Sequence, residues 1–526
     1  MTNITRRAML AGTAAVAALA TTRPIWAQDG RGSDTMTHLI PSEPPTFDLH
    51  ATQTSFCPQT IGPCYSTLMK FDTENYPEIV GDLAESWEVS DDYLTYTFTL
   101  HDGITFHDGS PCTAEDVKTS YDRIMSPPEG IVSVRMSELD DIASVEVVDE
   151  RTIRFTLAEV NVAMMNNFAS PWHVVYSAAK LAENPNYPAT EVMGTGPFKL
   201  DEHAPGSHVE LSRYDGYFHA DQPHLAKIRG TFTGGPALTT ALTAGQADGM
   251  FHFVTPQQRD SIAQVQGDKM IFDEAVMNSL VFATFNTQKA PFDDQRVRQA
   301  LNLAIDRYLA DEALQNISVM RFATAYFAPN SPYTATGDAL EALPGYGTDI
   351  EAARDEARAL LEEAGHSKLK VKFVMRNLPP FETPTVFMID QWRQIGVETE
   401  VVKLDTPQYF AALESGDFDF ALEAYNFNTM DPNDVFQKFL PEGTLNYAGN
   451  EDAELSELFK AMKVETDPEA RKEMAARYQT RLAEQAYYAP LLWNRRITVQ
   501  RADLTGWNTT PVMALGYQFA NMRFVA

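Results

Sequence analysis

Between Tyr93 and Leu100 the chain alternates without a break: Leu94, Tyr96, Phe98 and Leu100 fall on one side, Tyr93, Thr95, Thr97 and Thr99 on the other. A period of two predicts a half-buried strand. Val145–Val148 and Thr152–Leu157 flank Asp149-Glu150, which predicts a hairpin. Thr113, followed by Ala114-Glu115-Asp116, puts a capping hydroxyl and two acids where the free N–H groups of a helix start need them, so a helix is expected to about Ile124. Ile350, Ala353, Ala357, Leu360, Leu361 and Ala364 recur at helical spacing, and Gly365 supplies the stop. Helices are also expected from Asp294 to about Leu309 and from Pro468 to about Ala486. Strand-like runs at Leu369–Met375, Gly396–Leu404 and Phe418–Ala424 make residues 349–424 read helix, strand, helix, strand, helix, strand. That alternation predicts an α/β domain with helices covering a sheet.

The first 27 residues follow another logic. Thr5-Arg6-Arg7-Ala8-Met9-Leu10 opens a short apolar run from Ala11 to Ala20, and Ile25-Trp26-Ala27 precedes Gln28. A basic start, an apolar stretch and a small residue at the cut site predict a cleaved export signal over residues 1–27. The paired arginines resemble a twin-arginine signal, which exports chains already folded. The run is shorter than the roughly 20 residues a membrane span needs, and no second such run follows. A soluble, exported, periplasmic protein with no direct membrane span is expected.

Charge and cysteine content narrow the partners. With 72 acidic and 41 basic residues the net charge is −31, which disfavours clamping nucleic acid or an anionic bilayer. Cys57, Cys64 and Cys112 are too few for a disulfide scaffold and form no C-x-x-C pair; they read as buried thiols, with a Cys57–Cys64 bridge left open. The nucleophile-elbow, zinc-protease, P-loop and dinucleotide motifs are all missing. Gly194-Thr195-Gly196-Pro197 is glycine-rich, but Pro197 lacks the N–H a phosphate cradle needs, so a tight turn is expected. His101-Asp102-Gly103 and His107-Asp108-Gly109 read as two Asp-Gly turns, and the acid pairs Asp91-Asp92, Asp140-Asp141 and Asp293-Asp294 as solvated surface. No catalytic residue, resident metal or cofactor is expected, which favours a binder over an enzyme.

A set of segments in fixed order carries a resemblance. Leu83-Ala84-Glu85-Ser86-Trp87, the Tyr93–Leu100 strand, the two His-Asp-Gly segments and Thr113-Ala114-Glu115-Asp116-Val117 come first. Gly194-Thr195-Gly196-Pro197-Phe198, Asn286, Pro291-Phe292-Asp293-Asp294-Gln295-Arg296-Val297-Arg298-Gln299-Ala300 and Ala304-Ile305-Asp306-Arg307 follow. Together they resemble the family-five solute-binding proteins of ABC importers, which include dipeptide-, oligopeptide- and nickel-binding members. The resemblance implies an α/β, bilobed periplasmic-binding-protein fold (type II, cluster C-like) with an extra α/β domain, closing on a ligand at a hinge. It places lobe I at 28–72, 195–283 and 495–526, the extra domain at 73–194 and lobe III at 284–494. It also implies that the chain delivers its solute to ABC permease subunits, as a monomer.

The same resemblance nominates ligand-binding residues. In peptide-binding relatives an Asp four residues before a Pro pairs with the ligand's α-amino group; here that position is Asn428, which brings no charge. Tyr425 stands where an aromatic, often Trp, begins the segment. Arg376 stands where a dipeptide-binding relative grips the ligand carboxylate, with Trp392 beyond it, and a guanidinium fork matches the two oxygens of a carboxylate. Two arginines used by longer-peptide binders fall on Leu413 and Leu422, which counts against long peptides. Gln53, Thr54, Ser55 and Phe56 are expected to form the lobe I wall, with Asn426, Asp431 and Glu423 further candidates opposite. The expected ligand is a small polar, carboxylate-bearing solute: a short peptide, a dipeptide or an amino-acid conjugate. A metal or metal-chelate binder of the nickel type is the alternative, and an exported hydrolase a further one.

Overall fold

The computed structural model describes residues 34–525. The export segment expected over residues 1–27 lies outside them.

A mixed sheet of eleven strands runs through the molecule. Its first half contains Thr35–Ile40, Phe198–Ala204, His208–Arg213, Lys227–Phe232 and Gly249–Met250. Its second half contains Leu369–Arg376, Val397–Leu404 and Phe420–Asn426, with Met320–Phe322 added at the side. Two long antiparallel strands join the halves: Met270–Phe285 (16 residues) and Tyr488–Arg501 (14 residues). Their ladder runs from Met270/Arg501 to Val276/Arg495, breaks, and resumes from Leu280/Trp493 to Thr284/Tyr488. Before the break Tyr488–Arg501 also pairs with Gly249–Met250; beyond it Met270–Phe285 pairs with Phe420–Asn426. The interruption at Val276–Leu280 therefore falls where the sheet passes from one half to the other.

Each half has its own core. In the second half, one face of the strands (Phe373, Met375, Phe420, Leu422) packs against the helices Gln295–Leu303, Ile350–Glu363 and Pro379–Arg393. Trp392 sits at the centre of this layer, fully buried, its indole N–H donating to the Leu301 carbonyl at 2.9 Å and its ring 4.8 Å from Phe420 and 5.3 Å from Phe373. The opposite face (Val374, Ala421) is covered by the helix Thr406–Ser415 through Tyr409 and Leu413. A separate antiparallel sheet, in the order Ala84–Val89, Thr95–Leu100, Thr152–Leu157, Ile142–Val147, packs with the helix Ala114–Met125 into a core continuous with residues 36–71 and 504–522. Its far edge reaches the second half: Lys463 pairs with Asp141 and, at 3.0 Å, Glu159, while the Val162 N–H donates to the Lys463 carbonyl at 3.0 Å.

Most expected elements are present, with two corrections. The alternating strand begins at Thr95, not Tyr93, because Tyr93 takes a left-handed φ of 57° in the turn after Ala84–Val89. The helix expected from Asp294 to Leu309 is two, Gln295–Leu303 and Arg307–Leu314, because the Asp306 carboxylate accepts the Leu309 N–H and caps a new start. The helix after Thr113 carries the full capping box with Asp116. Gly103 and Gly109 hold positive φ (71° and 86°), as Asp-Gly turns require. A Cβ on Gly194 or Gly196 would lie 2.0 Å or 2.5 Å from the Cys64 backbone, so both glycines are needed for that close approach. All three cysteines are free and buried, without a Cys57–Cys64 bond.

Trp392 gives a direct test of the second core. Trp392→Ala leaves a large cavity between sheet and helices and is expected to cost about 3–5 kcal/mol of unfolding free energy in urea titration. A loss under 1 kcal/mol would contradict the packing described.

Candidate functional site

The crevice of interest lies at the carboxyl ends of the second-half strands, where open α/β sheets place their ligands. Arg376 closes the strand Leu369–Arg376. Because Val374 pairs in parallel with Ala421, Arg376 comes level with Glu423 on the neighbouring strand, and Tyr425 follows on the same face. The Arg376 guanidinium lies 4.3 Å from the ring centre of Phe381, 5.8 Å from Tyr409 and 5.7 Å from Phe410. Among the described residues it has no ion pair or side-chain hydrogen bond, and its Nε is buried without a partner. Burial pulls its pKa down, opposed by Tyr409 and Glu423, yet a guanidinium keeps its charge at neutral pH. The fold thus presents a partly desolvated cation that aromatic faces stabilise and no internal acid neutralises.

Glu423 is not that acid. It pairs with Lys438 at 3.2 Å, with the two side chains 7% and 0% exposed, and accepts a hydrogen bond from the Thr284 hydroxyl. Lys438 is enclosed by the rings of Tyr447 (4.8 Å), Phe282 and Tyr488 (both 5.6 Å) and Tyr425 (5.9 Å). The pair closes on itself within the second half.

The segment beyond Glu423 forms one wall. Tyr425 is half-buried, edge-on to Phe427 at 4.9 Å, and its hydroxyl has no hydrogen-bond partner among the described residues. Asn426 is exposed and pairs with Ser279 in the ladder. The Asn428 carbonyl accepts the Tyr76 hydroxyl at 3.2 Å, and that hydroxyl accepts from Asn278 at 3.1 Å, so Asn428 is tied to the opposite side of the cleft. Asp431 caps the helix Pro432–Gln437 and grips Arg471 through both oxygens (2.6 and 2.7 Å), which leaves it no free charge.

The facing wall contains the expected Gln53–Phe56 loop. Gln53 is exposed; Thr54, Ser55 and Phe56 are half-buried. Ser55 Oγ is 3.2 Å from His252 Nε2, and the Phe56 ring is 5.0 Å from the His252 ring. Burial lowers the His252 pKa to about 3, so that imidazole is neutral. Arg135, stacked at 4.2 Å on Trp172, steadies the loop by donating to the Thr52 carbonyl at 2.8 Å and pairs with Glu138 at 3.0 Å. The charge of Glu138 acts on Tyr425 and Asp434, which brings the two walls face to face.

The structure therefore groups Arg376, Glu423 and Tyr425 on one face, ties Asn428 across the cleft, and commits Asp431 and Glu423 to internal cations. Trp392 is in the core, and Leu413 and Leu422 are buried apolar residues. Asp434, Arg135, Glu138 and Tyr76 went unpredicted. Asp434 reads in sequence as an ordinary first-turn acid, and the other three come from a segment far away in the chain. Among the described residues, Glu202, His208 and Glu210 offer ligand atoms within 4.8 Å of one another, but Glu210 is held by Arg229 and the group lies on a hairpin remote from the crevice.

Two packed halves sharing a pair of long strands, with a free cation in the crevice, are the build of a protein that holds a solute between lobes. The chain belongs to the bacterial extracellular solute-binding proteins, family 5, whose middle-region model matches residues 78–447. It is 26% identical over 465 residues to the glutathione-binding protein GsiB of Salmonella typhimurium, covering 84% of this chain and 86% of that one. Its fold matches the murein tripeptide binding protein MppA of Escherichia coli (TM-score 0.80, 20% identity, 94% and 99% of the two chains). It also matches DppA of Helicobacter pylori bound to the peptide STSA (TM-score 0.79, 20% identity, 93% and 98%). Among the described residues no helix is long and apolar enough to cross a membrane.

The Glu423–Lys438 pair yields a prediction. Lys438→Met strands a buried carboxylate and is expected to cost about 3–5 kcal/mol in chemical denaturation, most of it recovered by adding Glu423→Gln. Additive losses in the double variant would contradict the pairing.

Proposed function

We propose that this protein captures a small solute bearing a carboxylate, a short peptide or an amino-acid conjugate of glutathione size, and hands it to an ABC permease without altering it. The observation that carries the reading is Arg376: a fixed, aromatic-backed guanidinium at the strand ends with no anion of its own. A ligand carboxylate supplies the two acceptors its fork lacks, and closure of the lobes strengthens that bond by excluding water. The lobes follow the boundaries at 28–72, 195–283 and 495–526 against 284–494, and the interrupted ladder at Val276–Leu280 is the hinge. Tyr425, Asn426 and Asn428 line one wall and Gln53, Thr54, Ser55 and Phe56 the other. Relatives named for binding glutathione and peptides support this solute class over a metal chelate, and Glu423 and Asp431, each paired with an internal cation, argue against a hydrolytic role for those two acids. The protein works as an exported periplasmic monomer.

Thermal melting with glutathione, alanyl-alanine and trialanine tests this. A ligand at a hundred times its Kd adds about 2.7 kcal/mol, a shift of a few degrees. Arg376→Met keeps the packing of the stem and removes the fork; it is expected to weaken the active compound by about 2–5 kcal/mol. If none of the three shifts the melting temperature, the solute class is wrong; if one does and Arg376→Met leaves its affinity unchanged, the anchor is wrong.

A further inference from the structure

The helix Ala453–Val464 belongs to the second half: Leu455, Leu458 and Met462 bury it beside Phe427, Phe436 and Trp493. Its last turn carries Lys463, whose ion pairs among the described residues are both with acids of the separate antiparallel sheet, Asp141 and, at 3.0 Å, Glu159. Both acids stand at the open end of one hairpin. Asp141 directly precedes the strand Ile142–Val147, Glu159 follows the strand Thr152–Leu157, and Ile142 pairs with Leu157. The Lys463 and Asp141 side chains are 18% and 15% exposed, so that pair is sheltered, while Glu159, at 65%, meets solvent.

The sheet side is shaped to hold this lysine. The second Asp141 oxygen accepts the Asn161 amide at 2.8 Å, and Asn161 Oδ1 accepts the Ala163 N–H at 2.9 Å. Between them the Val162 N–H donates to the Lys463 carbonyl at 3.0 Å. The last carbonyls of a helix have no partner within it. Here the Met462 carbonyl is satisfied by Arg471 of the second half, at 3.1 Å, and the Lys463 carbonyl by the sheet. The contact is also joined to the crevice. Asp141 is three residues from Glu138, whose charge acts on Tyr425, and six from Arg135, which donates to the Thr52 carbonyl beside the Gln53–Phe56 loop. Leu139 is fully buried and the Glu138 carbonyl accepts the Asn167 amide at 2.6 Å, so the stretch 135–141 is anchored as one piece.

We propose that Lys463 is a latch: the antiparallel sheet grips it through Asp141, Glu159 and the Val162 N–H, and so holds the crevice shut in the protein without solute. Opening breaks this contact while the two long strands bend at their joint. The added sheet thereby gains a mechanical role, as the arm that reaches across the crevice. An ion pair at the rim suits a latch because it is made and broken at small cost. The assignment rests on the closing motion of the reading above, and not on Arg376 or on any solute class.

Double electron–electron resonance between spin labels at Ser144→Cys and Glu473→Cys reads the gap on the full chain with no solute added. Both positions are exposed, and the native Cys57, Cys64 and Cys112 are buried. At low salt the labelled parent is expected to show one dominant short distance. Lys463→Met keeps the stem and the Val162 bond but removes the charge, and is expected to lower the ratio of short to long distances about fivefold; Lys463→Arg is expected to retain the parent distribution. Asp141→Asn still accepts from Asn161. Combined with Glu159→Gln it is expected to match Lys463→Met, and adding both to Lys463→Met to change nothing further. Raising NaCl to about 1 M is expected to lower the ratio about twofold in the parent and to leave Lys463→Met unmoved. That arm is read with Lys463 in place, so it holds even where the variants fold poorly. A parent that is already open, or one whose distances Lys463→Met and salt leave unchanged, overturns the latch. No solute is present, so that failure leaves the solute reading standing; equally, melting temperatures unmoved by glutathione and the alanine peptides would leave the latch standing.

Discussion

A cation left without an anion organises the crevice of this protein. The chain carries 72 acids against 41 basic residues, yet Arg376 lies on three aromatic rings and touches none of those acids. Three nearby carboxylates are already matched: Glu423 by Lys438, Asp431 by Arg471, Glu138 by Arg135. Such matching is what makes a free guanidinium selective. In water its field is weak, but in a closed, partly dry crevice an unpaired cation is costly, and a solute that supplies the missing carboxylate removes that cost.

The joint between the halves is where the proposed closure would act. In the sheet the two halves meet through Met270–Phe285 and Tyr488–Arg501, whose ladder is interrupted between Val276 and Leu280. The ladder is regular from Met270 to Val276 and carries one further register shift, at Val281/Phe282, beyond the interruption, so the proposed hinge falls at the longest gap in the pairing. The residues at this joint are also wired to the walls. Asn278 holds Tyr76, Tyr76 holds the Asn428 carbonyl, and the Asn278 carbonyl accepts the Phe427 N–H. At the far rim Lys463 bonds to Asp141 and Glu159. A displacement at the proposed hinge would therefore reach both the Asn428 wall and the outer contact.

Much of the scaffold was legible because local physics determined it. The Thr113 capping box, the Gly365 stop and the Thr95–Leu100 alternation depend on neighbours a few residues away. The break at Ala304–Asp306 escaped notice because the apolar period continues across it; only the Asp306 cap, backed by buried Arg307 bonding to the Asn302, Gly345 and Pro490 carbonyls, ends one helix and starts the next. The placement of the proposed site residues was legible only in part. Arg376 and Tyr425 stand on regular strands, where motif and register agree. Asp434 could not be singled out, since its environment is set first by burial in the folded chain and then by Glu138, hundreds of residues away, together with its neighbour Asp431. Asp431 looked equally available until Arg471, brought in by the helix Pro468–Gln485, was seen to occupy both its oxygens.

The most direct measurement is a crystal structure of the protein isolated from its host without denaturation, so that the crevice keeps whatever solute it took up. A carboxylate is expected in bidentate contact with Arg376, about 2.7–2.9 Å from its nitrogens. A bound solute that leaves the guanidinium untouched, or an acid of the protein's own chain filling that position, would contradict the claim that Arg376 exists to receive an anion from outside.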